Sequence, residues 1–106
     1  MKKNEKAVLS MKKTLLSGML FDESAYSCTV WKYHPASECI YLVLEDAQLT
    51  EVSLDAIYDV CVEADGVEER CEGRIKERYR AEAGNMLKFQ VENGFYKNTI
   101  KLVDKQ

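Results

Sequence analysis

The side chains most able to do chemistry are cations in the second half of the chain. Arg74, Lys76, Arg78 and Arg80 recur at every second position. In an extended strand, alternate residues share a face and stand roughly 7 Å apart, close to the spacing of successive phosphates. The favoured reading of such a stripe is a solvated exterior neutralised by Glu68, Glu72, Glu77, Glu82 and Glu92; it would otherwise suit a phosphate-bearing ligand, an acidic protein surface or a single nucleic-acid strand. Lys12 and Lys13 add two cations near the N-terminus, and Ser53 supplies a hydroxyl in a loop-like stretch. The one histidine, His34, precedes Pro35 in a turn and has no serine or aspartate in a triad context. A catalytic role would require a positioned partner. Neither GxxxxGK[ST] nor GxGxxG occurs, so a glycine-rich phosphate loop is excluded.

Cys28, Cys39, Cys61 and Cys71 are spaced 11, 22 and 10 residues apart. That spacing holds no CxxC pair and no zinc-ribbon pattern, and it favours four small hydrophobes over a metal site or disulfide. No catalytic residue, metal site or cofactor is expected.

The whole chain has 106 residues and a net charge of −3, which argues against bulk attraction to nucleic acid. The charge is uneven. Residues 1–66 carry 6 Lys/Arg against 11 Asp/Glu, and residues 67–106 carry 9 against 7. A local basic surface in the second half is compatible with that balance. No stretch approaches the roughly 20 apolar residues of a membrane-spanning helix. The run after Lys2-Lys3 is broken by Lys12-Lys13 and lacks a small-residue cleavage site. A cytoplasmic protein without membrane insertion is the expectation.

The elements that hold these residues are mostly strands. Residues 1–21 mix two signals. Asn4 could cap a helix, and Val8, Met11, Leu15 and Met19 follow a 3–4 residue spacing, with Ser17-Gly18 ending it. A short helical or irregular lead-in is expected there, with a single β domain over 22–106. Tyr26 to Tyr33 and Cys39 to Glu45 read as strands around a His34-Pro35-Ala36-Ser37 turn. In the first of these, Trp31 and Tyr33 share a parity opposite to Tyr26, Cys28 and Val30, so both aromatics either pack under the N-terminal segment, the favoured reading, or stand partly exposed. Exposed aromatics mark interaction surfaces.

Asp65-Gly66 is a strong two-residue hairpin signal, because a type I′ turn needs positive φ at both central positions. It sets Val60 opposite Cys71, Tyr58 opposite Gly73 and Ala56 opposite Ile75. Glu68, Arg70, Glu72, Arg74, Lys76, Arg78 and Arg80 then share the outer face. A one-residue slip would bury that charged set. Cys61 turns outward and Cys71 inward, so the two should not bridge. Asn93-Gly94 predicts a second hairpin, with Val91 opposite Tyr96 and Phe89 opposite Asn98. About six strands result. They can hide one apolar face by closing into a small antiparallel barrel or by packing as a sandwich.

Over residues 20–103 this pattern resembles the PilZ domain family, a six-stranded split β-barrel of which many members bind cyclic di-GMP. Glu51-Val52-Ser53-Leu54-Asp55-Ala56 stands where that family has a D/N-x-S-x-x-G turn. It keeps Ser53, with Glu51 in place of Asp or Asn and Ala56 in place of Gly. Cys71-Glu72-Gly73-Arg74-Ile75-Lys76-Glu77-Arg78-Tyr79 is similar to the family strand in which glycine precedes a β-branched residue and basic residues follow. Where the family has an RxxxR segment, this chain has Lys2, Lys3, Lys6, Lys12 and Lys13 and no arginine. Lysine offers a point charge where arginine offers a planar fork. The resemblance therefore implies a degenerate member, acting as a noncatalytic regulatory or protein-interaction module in a bacterial cytoplasm with a protein partner. It also implies an alternative, a cyclic di-GMP receptor using Lys12, Lys13, Ser53, Arg74, Lys76 and Arg78. The stripe itself carries a third reading, a single-stranded nucleic-acid-binding barrel.

Overall fold

The computed structural model describes residues 2–14 and 25–99. Six strands run through them: β1 (Lys6–Thr14), β2 (Ala25–His34), β3 (Cys39–Leu44), β4 (Ala56–Ala64), β5 (Val67–Ala81) and β6 (Gly84–Thr99). They close into an antiparallel barrel in the order β1-β2-β3-β6-β5-β4. Alternation explains the closure. Leu9, Cys28, Val30, Ile40, Leu42, Tyr58, Val60, Cys71, Leu87 and Phe89 all point inward and are fully buried. Each strand thus presents one apolar face, and joining the outermost strands gives their main-chain groups partners.

The Asp65-Gly66 turn forms as expected, with φ of 53° and 77° at its two residues. Val60 pairs with Cys71 and Tyr58 with Gly73. The predicted Ala56–Ile75 pair lies beyond the paired stretch of β4 and β5, which starts at Tyr58; on its other edge Ala56 pairs with Thr14 of β1. Cys71 is buried and Cys61 half-buried on the outer face, and all four thiols are free.

Two expectations are corrected. Residues 6–14 form a strand and not a helix. Ala7, Leu9 and Met11 face the core, while Lys6 and Val8 are exposed. This period of two competes with the 3–4 spacing of Val8 and Met11. It prevails because β1 pairs with both β2 and β4 and closes the barrel. The barrel therefore begins at Lys6 rather than at residue 22. The remaining marks of the expected helix, Leu15, Ser17-Gly18 and Met19, lie outside the described residues.

Asn93-Gly94 does not turn the chain. Neither residue has positive φ, and β6 runs through both. Phe89 pairs with Ile40 and Ile75, and Val91 with Gly73. The β5–β6 register shifts around Glu72, opposite residues 91–96, so the Asn-Gly pair accommodates a bulge. The chain gains more by extending the existing β5–β6 hairpin along residues 67–72 than by folding back.

Three further bulges matter for side-chain direction. Lys12 in β1, Trp31 in β2 and Lys76 in β5 are each an extra residue relative to the neighbouring strand. A bulge resets the alternation beyond it. After Trp31, Tyr33 pairs with buried Ile40 and packs against the core, while Trp31 stays outside. After Lys76, Arg78 pairs with buried Leu87, and Tyr79 with Met86. The expected single charged face therefore ends at Lys76. Arg78 and Arg80 join the side of Gly73 and Ile75, and Tyr79 turns outward.

The connection from β3 to β4 packs across the end of the core. Val52 is fully buried within it, with Ala47 and Leu49 against it. Side chains from three of the strands fasten its main chain. Tyr26 Oη donates to the Glu51 carbonyl at 3.4 Å, the Ser53 amide donates to Tyr58 Oη at 2.9 Å, and Arg78 Nη1 donates to the carbonyls of Leu49 and Val52.

Candidate functional site

Four of the six expected ligand residues fall into two neighbouring groups near the start of β4. Lys12, Ile57, Glu72, Glu92 and Asn93 line a hollow of about 330 Å³ on the outer surface. Lys12 is there because its bulge pushes it outward beside β4, and Lys12 Nζ lies 2.6 Å from Glu72 Oε2 and 4.0 Å from Asp59 Oδ1. Arg74 reaches the hollow through Glu92, with Nε 2.8 Å from Oε2. Asn93 Nδ2 donates to the other oxygen of Glu72. Two cations and two carboxylates thus close on one another. Lys13 pairs through its main chain with Ile57, and its side chain lies outside the described part.

Ser53 and Arg78 form the second group. Ser53 Oγ accepts the Asp55 amide at 2.9 Å, which stiffens the turn into β4. Arg78 binds main-chain carbonyls, as described above. Both residues build the connection over the core. Lys76 stands exposed on its bulge. Of the expected set, Lys12 and Arg74 meet at one hollow, Ser53 and Arg78 meet at the end of the core, and Lys76 projects from β5.

Arg80 and Arg70 of β5 and Lys88 of β6 are also engaged. Arg80 Nη1 donates to Asn85 Oδ1 at 3.3 Å, and Lys88 Nζ lies 3.8 Å from Glu77 Oε2. Arg70 lies between Glu68, at 3.2 Å, and Asp59, at 3.9 Å. Its guanidinium is held above its usual range first by the Glu68 hydrogen bond.

The thiols offer little reactivity. Burial pushes Cys28 and Cys71 up to about 12, with nearby carboxylates adding to the effect. Cys61 is raised as well, chiefly by desolvation, although Arg70 Nη2 lies 3.7 Å from its sulfur. A nucleophilic cysteine needs the opposite shift. Among the described residues no group of three or more His, Cys, Asp or Glu could hold a metal ion. None of the helices in the described part is long and apolar enough to cross a membrane.

Sequence reasoning missed a second surface. The row Thr29–Val43–Met86–Tyr79 runs directly across the outside of β2, β3, β6 and β5. Met86 is almost fully buried yet lies outside the core cluster, and Tyr79 is 38% exposed. Beside this row, a hollow of about 420 Å³ is lined by Asn4, Thr29, Trp31, Val43, Glu45, Glu82 and Ala83. Exposure of Trp31 was one of the two readings of its parity. The carboxylates around it were not, because Glu45 and Glu82 come from different loop ends. Comparison with protein-family models, with curated proteins and with solved structures finds no match for this chain.

Proposed function

We propose that this barrel is a noncatalytic, PilZ-like regulatory module that works by binding another protein, and that its ligand site is degenerate. One observation carries the reading: three of the cations expected to bind an anion are already held by the chain itself. Lys12 is on Glu72, Arg74 is on Glu92, and Arg78 is on two carbonyls. A dinucleotide phosphate would have to displace two carboxylates to gain the first pair, and would have to unfasten the segment over the core to gain Arg78. Exchanging one anion for another at a lysine or arginine yields little net free energy in water. The bulge at Lys76 also breaks the run of cations on one face, which disfavours a track for a nucleic-acid strand.

Calorimetry with cyclic di-GMP at physiological salt tests this reading, and no binding heat is expected. Micromolar binding that disappears in Ser53→Ala with Lys13→Ala would overturn it. The clustering of Lys12 and Arg74 at one hollow supports the second reading, a cyclic dinucleotide receptor. Replacing Glu72 and Glu92 by Gln frees both cations. If those carboxylates are what closes the site, this variant gains dinucleotide affinity while the parent stays silent.

A further inference from the structure

The hollow beside Trp31 plays no part in the ligand site above. Trp31 stands on the β2 bulge and is 38% exposed. Val43 of β3 and Ala83 of the β5–β6 turn provide further apolar wall. Two exposed carboxylates, Glu45 and Glu82, complete the lining. Glu45 accepts the hydroxyl of Thr29. Glu82 has no ion pair among the described residues.

A cation already visits the indole. Lys3 Nζ lies 4.2 Å from the ring centroid of Trp31, although Lys3 is not among the residues lining the hollow. It is held there by a short N-terminal turn. Asn4 has φ of 73°, and its amide donates to the Val30 carbonyl at 2.7 Å. An indole face attracts cations, carboxylates attract them more strongly, and an apolar wall accommodates the methylene stem of a long basic side chain. Anionic groups are repelled by the same lining.

We propose that this hollow receives the guanidinium or ammonium group of an arginine- or lysine-bearing segment of a partner protein, with Lys3 as the internal competitor for the indole. The proposal rests on the protein-binding reading and gives it a site and a chemistry. The volume of about 420 Å³ lies within the range of roughly 300–1,000 Å³ common for small-ligand sites.

Trp31 is the one tryptophan of the chain, so its indole N–H resonance reports on this hollow alone. The probe is the blocked tripeptide acetyl-Gly-Arg-Gly-amide, titrated into the ¹⁵N-labelled full chain beside its Leu and Glu counterparts. A saturable indole shift is expected with the Arg peptide only. Lys3→Ala removes a like charge and should tighten binding about two- to fivefold, the scale of one exposed cation–π contact. Glu45→Gln with Glu82→Gln should abolish the shift. The proposal is overturned if the Arg peptide gives no shift even in Lys3→Ala. An equal response to the Leu peptide would make the hollow a plain apolar groove and also overturn it. A shift that tracks protein concentration without peptide assigns the hollow to a second copy of the chain, with the same consequence. The dinucleotide calorimetry is read separately. A silent calorimeter with a failed Arg titration removes this site and leaves the broader reading standing, whereas dinucleotide heat removes the broader reading.

Discussion

Arg78, on β5, donates a hydrogen bond to the main-chain carbonyl of Val52, a residue 26 positions earlier whose side chain is fully buried in the barrel. The contact exists because the extra residue at Lys76 swings Arg78 to the inner side of β5. A cation that looks from its spacing like part of a surface stripe thus fastens the segment closing the core.

Replacing Arg78 by Ala should therefore destabilise the protein as well as change its charge. The Val52 carbonyl loses a charged donor in a partly buried setting, which costs about 2 kcal/mol. The urea midpoint should fall, and amide exchange at Ser53 should accelerate as the segment loosens. Arg78→Lys should fall between parent and Ala, because lysine carries the charge without the planar fork. A stripe residue serving only as a solvated charge would leave both readouts within about 0.5 kcal/mol of the parent.

Glycine substitutions separate two kinds of constraint. A Cβ on Gly73 would lie 1.9 Å from the Gln90 carbonyl oxygen, which is main chain and cannot rotate away. Gly73→Ala should cost about 3 kcal/mol through forced separation of β5 and β6. Gly66 has open space around it and φ of 77°. Gly66→Ala should cost only about 1 kcal/mol, the conformational term alone. Equal losses in thermal unfolding would contradict the close approach at Gly73.

The buried thiols give the stability a defined pH dependence. Cys28 and Cys71 are raised in the fold from an ordinary value of 9.0 to about 12. A group with a raised folded pKa adds stability that is intact below its unfolded pKa and is lost as pH rises toward the folded one. Stability should decline between about pH 9 and pH 12, as unfolded chains ionise these thiols and folded ones do not. The decline should flatten when both are changed to Ala, compared at matched pH values by urea unfolding. In the native protein Cys61, half-buried on the outer face, should react with a thiol reagent well before Cys28 and Cys71.

Much of the barrel was legible because alternation is a local property. Val60, Cys71, Tyr58 and Gly73 could be paired from the Asp65-Gly66 turn alone, since its geometry fixes the register of both strands. What was not legible depended on partners distant in sequence. Nothing near Lys76 marks it as a bulge; the mismatch arises only when β5 must match β6 beyond Ile75. The same holds for Trp31 against β3 and Lys12 against β4. These three bulges decide where the expected site residues point, so the site was less readable than the fold. Lys12 and Arg74 could be named from charge, but their pairing with Glu72 and Glu92 required the β4–β5–β6 neighbourhood.

Gly94 offers the sharpest check on the strand assignment. If Asn93-Gly94 formed a type I′ turn, Gly94 would need positive φ, and alanine there would cost on the order of 1–2 kcal/mol. In the barrel Gly94 lies inside β6, has no positive φ, and has nothing within 4 Å of an added Cβ. Alanine at this position fits the backbone and removes some of the freedom of the unfolded chain, so Gly94→Ala should be neutral or stabilise by about 0.5 kcal/mol. Gly66→Ala, measured alongside, gives the cost of a true turn glycine in the same protein. If the two variants lose the same stability in urea unfolding, β6 ends at Asn93 and the pairing of residues 93–99 with β5 is wrong.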